Sequence, residues 1–521
     1  MSTPKDAPLT AFRARDSAIV LEIAWLYLAA DIRFLPMSEI LFHYHKIDPA
    51  TWVYLSSFLM IGLFFKFNRF WSVRNLDLVL LILLAPGLVM VNEARQMASQ
   101  PGGEVAAADA PAADAPTAEA PQSESIRPGG VSPDYLAYIG YLWLFAISGV
   151  WLVRLLLDPT MVRRPLLEPN ATNGCLAFLG VALFAFLMAN VVTSPLSAED
   201  LSGAKGAQAL LKGVDTSGNE DQPEDYRQHG PGYYLIHLLP TIPTSPFIPT
   251  NVRQTDRAFE IVAKLMAIVS HLAVVAGLVT IGYWHFENIR MGLGAAMLYL
   301  MLPYTAQMTG HVDHVLPAAL LLWAVVLYRR PGLAGFFLGL AIAVFYYPLF
   351  LLPLWISFYW QRGLARFLSG GGVAIALMIL SLVFVSKDLA SFWLKFQPMF
   401  ALWIPKTEGL VGIWGLREFG WDPWYRLPVI AACGALAGGL AIWPAHKNLG
   451  TLLSCSAAMM VAVQFWHGFG VGGGMYMAWF LPLLLMTVFR PNLEDRVALS
   501  VLGEGWFTKR RARLAQLDRA A

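Results

Sequence analysis

Long apolar runs recur along the whole chain and constrain its fold more than any other feature. Crossing the hydrocarbon of a bilayer takes about 17–25 helical residues. Runs close to that length lie near 17–35, 51–65, 76–93, 135–157, 174–194, 258–283, 289–308, 314–328, 367–385, 427–443, 450–467 and 474–489. The 521 residues are 57% hydrophobic and 14% charged, which is more apolar than a soluble protein of this size needs. We therefore predict an all-α, polytopic transmembrane helix bundle with about 12 spans.

One further apolar stretch, residues 332–360, has a different pattern. It is interrupted by Tyr347-Pro348. Basic residues flank it on both sides: Arg329, Arg330, Arg362 and Arg366. Because basic residues favour one side of the membrane, the stretch predicts a re-entrant hairpin of two short helices that enter and return.

The distribution of basic residues predicts the orientation of the bundle. Under this span count they fall on one side, which the positive-inside rule identifies as the cytoplasm. These residues are Arg13, Arg15, Lys66, Arg69, Arg74, Arg154, Arg163, Arg164, Arg329, Arg330, Arg362, Arg366 and the tail KRRAR at 509–513. We expect a multi-pass protein of the inner (plasma) membrane with both termini cytoplasmic, and with loops 195–257 and 386–426 outside.

Composition divides the chain into three regions. Residues 1–165 form an N-terminal transmembrane extension. Within it the linker 101–133, rich in Ala, Pro, Asp and Glu, has too little apolar content to fold and is predicted to be disordered and to lie outside the cytoplasm. Residues 174–490 form the membrane core, and 491–521 form a basic cytoplasmic tail.

The loop at 195–257 is the first candidate for function. It opens with two adjacent carboxylates, Glu199 and Asp200, continues through the helix-like GAKGAQALLKG, and ends in the aromatic QHGPGYYLIHLLP. A carboxylate at the membrane surface beside a segment that can enter lipid suits chemistry on a lipid-linked substrate.

The second external loop, 386–426, is rich in tryptophan. It holds Trp393, Trp403, Trp414, Trp421 and Trp424. Indole rings prefer the headgroup level, so the loop is predicted to lie on the membrane surface as short amphipathic helices. The rings form either an aromatic belt that anchors neighbouring spans or one wall of a groove for a lipid-linked sugar.

Four segments, taken in order, resemble a known family. They are SAEDLSGAKGAQALLKG (197–213), GPGYYLIHLLP (230–240), the stretch 310–355 that begins GHVDH, and EGLVGIWGL (408–416). Together they resemble the GT-C class of polytopic glycosyltransferases, and most closely the bacterial polyprenyl-phosphate-mannose-dependent mannosyltransferases. The resemblance covers about 174–490 and departs from the family where Phe345 and Tyr346 replace a lysine before the hairpin proline.

The resemblance implies an enzyme that moves a hexose, mannose foremost, from a polyprenyl-phosphate donor to a glycan or glycolipid acceptor outside the cytoplasm. Such a donor already carries a good leaving group. The reaction then needs one carboxylate as base and cations to stabilise the released phosphate. Single displacement inverts the anomeric carbon. The partners expected are the donor, the acceptor and the lipid bilayer, with no nucleic acid.

Several residues could carry this chemistry, and each has a structural alternative. Glu199 or Asp200 is the candidate base. The spacing to the following LLKG matches the acid of the family at Glu199, whereas the residue type matches it at Asp200. Either residue could instead cap the following helix. His311, Asp313 and His314 are either a polar helix start or contacts to donor or metal, so a divalent cation stays an open cofactor. Five further residues could contact the phosphate of the donor, or could only extend their side chains to the lipid headgroups. They are Arg227, His229, Tyr233, Lys395 and Arg417.

Two other functions remain open at this point. A transporter or lipid flippase would need polar residues at mid-membrane depth in several spans, whereas these spans are almost free of charge. A membrane assembly protein with a decayed catalytic loop is the second alternative, and the missing lysine at 345 keeps it open.

Overall fold

The computed structural model describes an all-helical bundle. It describes residues 49–99, 132–161, 167–194, 201, 203–207, 232–237, 256–386, 388–390, 392–393, 410–470 and 472–491, and within these ranges no strand occurs. The main helices are α1 (Pro49–Phe64), α2 (Val73–Ile82), α3 (Leu84–Ser99), α4 (Pro133–Leu157), α5 (Asn173–Thr193), α6 (Asp256–Trp284), α7 (Ile289–Met301), α8 (Pro303–Gln307), α9 (Val312–Val326), α10 (Pro331–Val344), α11 (Leu352–Tyr359), α12 (Leu364–Val385), α13 (Arg426–Ile442), α14 (Leu449–His467) and α15 (Met477–Phe489). The predicted fold class is confirmed.

Seven helical segments of the described chain are long and apolar enough to cross a membrane. Six further apolar helices are shorter. The predicted spans from 51–65 to 474–489 each coincide with described helix, whereas the first, 17–35, lies outside the described residues, as does nearly all of the linker 101–133 and of the tail 491–521. The division into three regions therefore stays a prediction.

Two predicted spans are broken in the structure, and proline explains both breaks. The span at 76–93 divides into α2 and α3 around Leu83. Pro86 has no N–H to give to the Ile82 carbonyl four residues earlier, so the hydrogen-bond ladder is interrupted there. The span at 289–308 divides at Leu302, whose backbone is not helical, before Pro303 opens α8.

The two short helices of the predicted hairpin are present, and their re-entry into the membrane stays a prediction. Helix α10 ends at Val344, the backbone is extended at Phe345, and a 3-10 turn over Tyr347–Leu351 leads into α11. The chain returns to its starting end, because the Tyr359 hydroxyl donates to the Tyr328 carbonyl at 2.6 Å. Helices α10 and α12 pack closely through small residues: a Cβ at Gly335 would collide with the Phe367 carbonyl, and one at Gly370 with the Gly332 carbonyl.

Basic side chains gather at one end of the bundle, which we call the basic end. Lys66 donates to the Asn170 side chain at 2.6 Å and Arg290 to the Ala171 carbonyl at 2.8 Å. Helix α14 begins at this end, where a Cβ at Gly450 would collide with the Arg490 guanidinium. The described ends of α7, α10 and α14 that carry the candidate site lie at the opposite end, which we call the site end.

A buried ionic network lies at the basic end and was not predicted. Arg154 binds both oxygens of Asp77 at 2.8 Å and one oxygen of Asp158 at 2.9 Å. The other Asp158 oxygen accepts from Arg490 at 2.6 Å. The network joins α2 and α4, from the N-terminal extension, to the residue that follows α15, so the extension packs into the core.

Candidate functional site

A buried histidine holds the loop that leads into α9. His271 of α6 lies between the Tyr299 hydroxyl at 3.0 Å from Nδ1 and the Thr309 carbonyl at 3.2 Å from Nε2. A carbonyl only accepts, so Nε2 carries the proton, and Nδ1 accepts from Tyr299. Thr305 adds a hydrogen bond to the Tyr299 carbonyl at 2.6 Å. Hydrogen bonds to α6 and α7 therefore hold the loop that carries GHVDH in place.

Asp313 and His314 lie in the first turn of α9, where the positive end of the helix favours a carboxylate. The side chain of Asp313 is 18% exposed and that of His314 only 2%, and an Asp313 oxygen lies 3.2 Å from His314 Nε2. His311 occupies the residue before the helix without a side-chain capping bond. In the described part of the chain, no group of three His, Cys, Asp or Glu side chains is arranged to hold a metal ion.

Aromatic residues from the hairpin and from the start of α15 surround His314. Its ring centroid lies 5.2 Å from that of Tyr476 and 5.6 Å from those of Phe345 and Trp479. Beside them the Tyr347 hydroxyl lies 3.0 Å from His467 Nδ1. The break in the hairpin thus places its two tyrosines among polar groups rather than in lipid. We call the set Asp313, His314, Phe345, Tyr346, Tyr347, Arg426, His467, Tyr476 and Trp479 the polar-aromatic cluster.

The cation of this cluster is Arg426, at the first position of α13. Its Nε donates to the Trp466 carbonyl at 3.0 Å, which fixes the guanidinium next to His467. Its charge lies within electrostatic range of Tyr346, Tyr347 and Tyr476. A guanidinium held among tyrosine hydroxyls can stabilise an anion such as a phosphate oxygen.

The sequence patterns above do not single out Arg426, His467 or Tyr476, and they mark Tyr347 only as part of the break in the hairpin. One available signal was a cation at the very start of a span, directly after the aromatic run WDPWY, because charges within spans are costly and mark functional sites. No signal in the sequence placed His467 against Tyr347, which are 120 residues apart.

An open cleft of about 520 Å³ adjoins Arg426 in the chain. It is lined by Arg417, Gly420, Trp421, Asp422, Pro423, Trp424 and Tyr425. Trp421 is held against Trp414, 5.5 Å away between centroids, and Trp424 and Tyr425 are exposed. This part of the predicted surface loop is a series of short 3-10 helices, and it places Arg417 in the cleft.

The aromatic segment at 232–237 packs on the tip of the hairpin. Tyr233 is 1% exposed, and a Cβ at the preceding Gly232 would lie 3.1 Å from the Ala343 backbone. The described residues 203–207 pack on this segment in turn, since a Cβ at Gly206 would collide with the Tyr234 ring. Tyr233 is thus buried in a small apolar cluster with Val344 and Leu382, next to the hairpin. The predicted contacts Glu199, Asp200, Arg227, His229 and Lys395 lie outside the described residues.

Comparison with known proteins gives one match. The model of the family described as "Glycosyltransferase family 87" matches residues 241–466. No curated protein and no solved structure matches the chain. The matched range contains Asp313, the hairpin and Arg426, and it ends one residue before His467. This match supports a membrane glycosyltransferase of the GT-C type.

Proposed function

We propose that the protein transfers a hexose, with mannose as the first candidate, from a polyprenyl-phosphate donor to a glycan or glycolipid acceptor outside the cytoplasm. The observation that supports this most is the polar-aromatic cluster, of whose nine residues six lie within the range of the family match. It combines a carboxylate, two imidazoles, three tyrosines and a guanidinium at the site end of the bundle.

The cluster suits a donor with a phosphate leaving group. Negative charge develops on the phosphate as the bond to the sugar breaks, and cations already in place lower the energy of that transition state. Arg426 is the described residue best placed for this, with Arg417 near the outer cleft and Arg227, His229 and Lys395 as further proposed contacts. Tyr233 belongs to the segment that packs on the tip of the hairpin and so supports it.

The proposed base is Glu199 or Asp200, which removes the proton of the acceptor hydroxyl. The described residues that follow them, 203–207, pack against 232–237 and through it against the hairpin tip. His311, Asp313 and His314 are proposed as contacts to the sugar or to a divalent cation. Single displacement gives inversion at the anomeric carbon.

The rival function, a transporter or flippase, has less support. In the described spans Lys264 pairs with Glu260 on its own helix at 2.6 Å, and the network around Arg154 is balanced between two arginines and two aspartates. Both arrangements are local and neutral, and neither lines a path across the bilayer. We further propose a multi-pass protein of the inner (plasma) membrane with cytoplasmic termini and with the site end outside.

Carboxylate variants of the purified protein test the proposed base. Glu199→Gln, Asp200→Asn and the double variant are assayed for hexose transfer from a lipid-linked donor. The variant that lacks the base should lose transfer by roughly 10²–10⁴-fold while it still binds donor. Glu168→Gln is the matched control, because Glu168 is an exposed acid at the basic end.

Near-normal transfer by both single variants and by the double variant would remove this loop from the mechanism. Asp313→Asn, made in parallel, then identifies the base: Asp313 has the remaining carboxylate within the cluster that the structure describes.

A further inference from the structure

Polar donors gather on the face of α3 at the site end, in the N-terminal extension. Asn92 and Arg95 are three residues apart, so they lie on one face of the helix. Asn92 Nδ2 is buried and has no hydrogen-bond partner within the described chain, and the same holds for Gln307 Nε2 on α8. Helix α8 packs against α3. These two amide donors, on helices that pack against each other, leave hydrogen-bonding capacity that an acceptor can satisfy.

A glycine-rich turn between α14 and α15 brings these groups together. Gly470, Gly472 and Gly473 have left-handed φ angles of 64°, 81° and 76°. A Cβ at Gly472 would lie 3.0 Å from Arg95 Nη1 and 2.9 Å from Met308 Cε, so the ends of both side chains lie beside the turn. Arg95, the turn and the residue after Gln307 therefore share one small space.

This space borders the polar-aromatic cluster. The Tyr141 hydroxyl donates to the Gly470 carbonyl at 3.0 Å, which anchors the turn to α4, and Arg95 lies within electrostatic range of the same tyrosine. On the other side, Tyr304 of α8 lies within range of Asp313, and the turn leads directly to Tyr476. Arg95 is an exposed residue, so a ligand can reach it from solvent.

We infer that Arg95, Asn92, Gln307 and the turn at Gly472 form an anion site for a phosphate group. A phosphate offers three or four acceptor oxygens, which suits a guanidinium flanked by amide donors, and a glycine lets the oxygens approach the backbone. The phosphate is either that of a polyprenyl chain or a free phosphate. This inference rests on the proposed function for the lipid-linked ligand, and it gives the N-terminal extension a role in binding.

Calorimetric titration of the purified full-length protein in detergent micelles tests this inference. The probes are farnesyl monophosphate, inorganic phosphate and, as the neutral control, farnesol. Arg95→Gln should weaken phosphate binding by about 10- to 100-fold, as expected for loss of a hydrogen bond to a charged group, and Arg95→Lys should retain more affinity than Arg95→Gln. Arg366→Gln, which alters an exposed arginine at the basic end, should bind like the wild type.

The two probes distinguish the source of the phosphate. If inorganic phosphate does not displace bound farnesyl monophosphate, the ligand is a lipid phosphate. If inorganic phosphate displaces it at millimolar concentration, the ligand is a free phosphate. In either case the binding must depend on Arg95. Equal affinities in wild type and Arg95→Gln for both probes would overturn the inference. Binding can be measured without turnover, so the two proposals fail separately. Phosphate binding that depends on Arg95, without any sugar transfer, contradicts only the proposed function. Sugar transfer with phosphate binding that is independent of Arg95 contradicts only this inference.

Discussion

The network at the basic end predicts an unusual pattern of stabilities when its charges are removed. Four charges lie there with side chains at most 9% exposed, and every charge has an opposite partner within 2.9 Å. Arg154→Met removes three hydrogen bonds and leaves Asp77 buried without its guanidinium. Breaking a buried pair by removing one partner costs about 3–5 kcal/mol, mostly because the remaining charge is uncompensated.

Removing Asp77 and Arg154 together should cost less than removing either alone. The pair that remains, Asp158 and Arg490 at 2.6 Å, is balanced one to one. The free energy of unfolding, measured by titration with SDS in mixed micelles, should therefore fall by about 3–5 kcal/mol in Asp77→Asn and in Arg154→Met, and by less in the double variant.

A helical pair of partly exposed charges supplies the control. Glu260→Gln disrupts the pair with Lys264, in which Glu260 is 37% exposed, and should cost only about 0.2–0.5 kcal/mol. Additive losses in the double variant, or single losses no larger than that of Glu260→Gln, would refute the electrostatic reasoning.

Three further predictions concern pH, topology and the linker. Burial, with a smaller effect of Arg329, lowers the pKa of His285 to about 4, while its hydrogen bond to the Val326 carbonyl opposes the shift. The folded state thus favours the neutral ring. The contribution of His285 to the free energy of unfolding should be fully present above pH 6.5 and should fall by up to about 3 kcal/mol as the pH drops toward 4. His285→Gln should flatten this pH dependence in thermal unfolding. Cysteines introduced at positions 110 and 218 should react with an impermeant thiol reagent in intact cells, and protection at both would contradict the orientation. A Gly/Ser linker of half the length in place of 101–133 should leave insertion and activity intact, and lost activity with normal insertion would show that this segment binds something.

The sequence predicted the helices well because each span must satisfy its own backbone within lipid. Apolar runs of sufficient length therefore identify helices directly, and basic flanking residues identified the return of the hairpin. The breaks within the spans 76–93 and 289–308 were not predicted, although the sequence shows Pro86 and Pro303 there. Composition cannot tell a proline that kinks a span from one that ends it.

The site was less predictable because its members meet only through tertiary packing. Asp313 and His314 were found, since polar residues next to a span are conspicuous. His467 and Tyr347 come together from distant segments, and Arg95 and Asn92 belong to the extension, whose sequence resembles no family that we could name. The buried pairing of Arg154 was missed for a related reason: at a span end it is indistinguishable from an arginine that only flanks the membrane.

The identity of the donor is the most direct test of the whole account. The purified protein, reconstituted in liposomes with a membrane extract as the source of acceptor, is given either labelled polyprenyl-phosphate hexose or the corresponding labelled nucleotide sugar. Label should pass to the acceptor from the lipid-linked donor only, and Arg426→Gln should slow this transfer. Transfer from the nucleotide sugar, or no transfer from any lipid-linked hexose by folded protein, would contradict the proposed function.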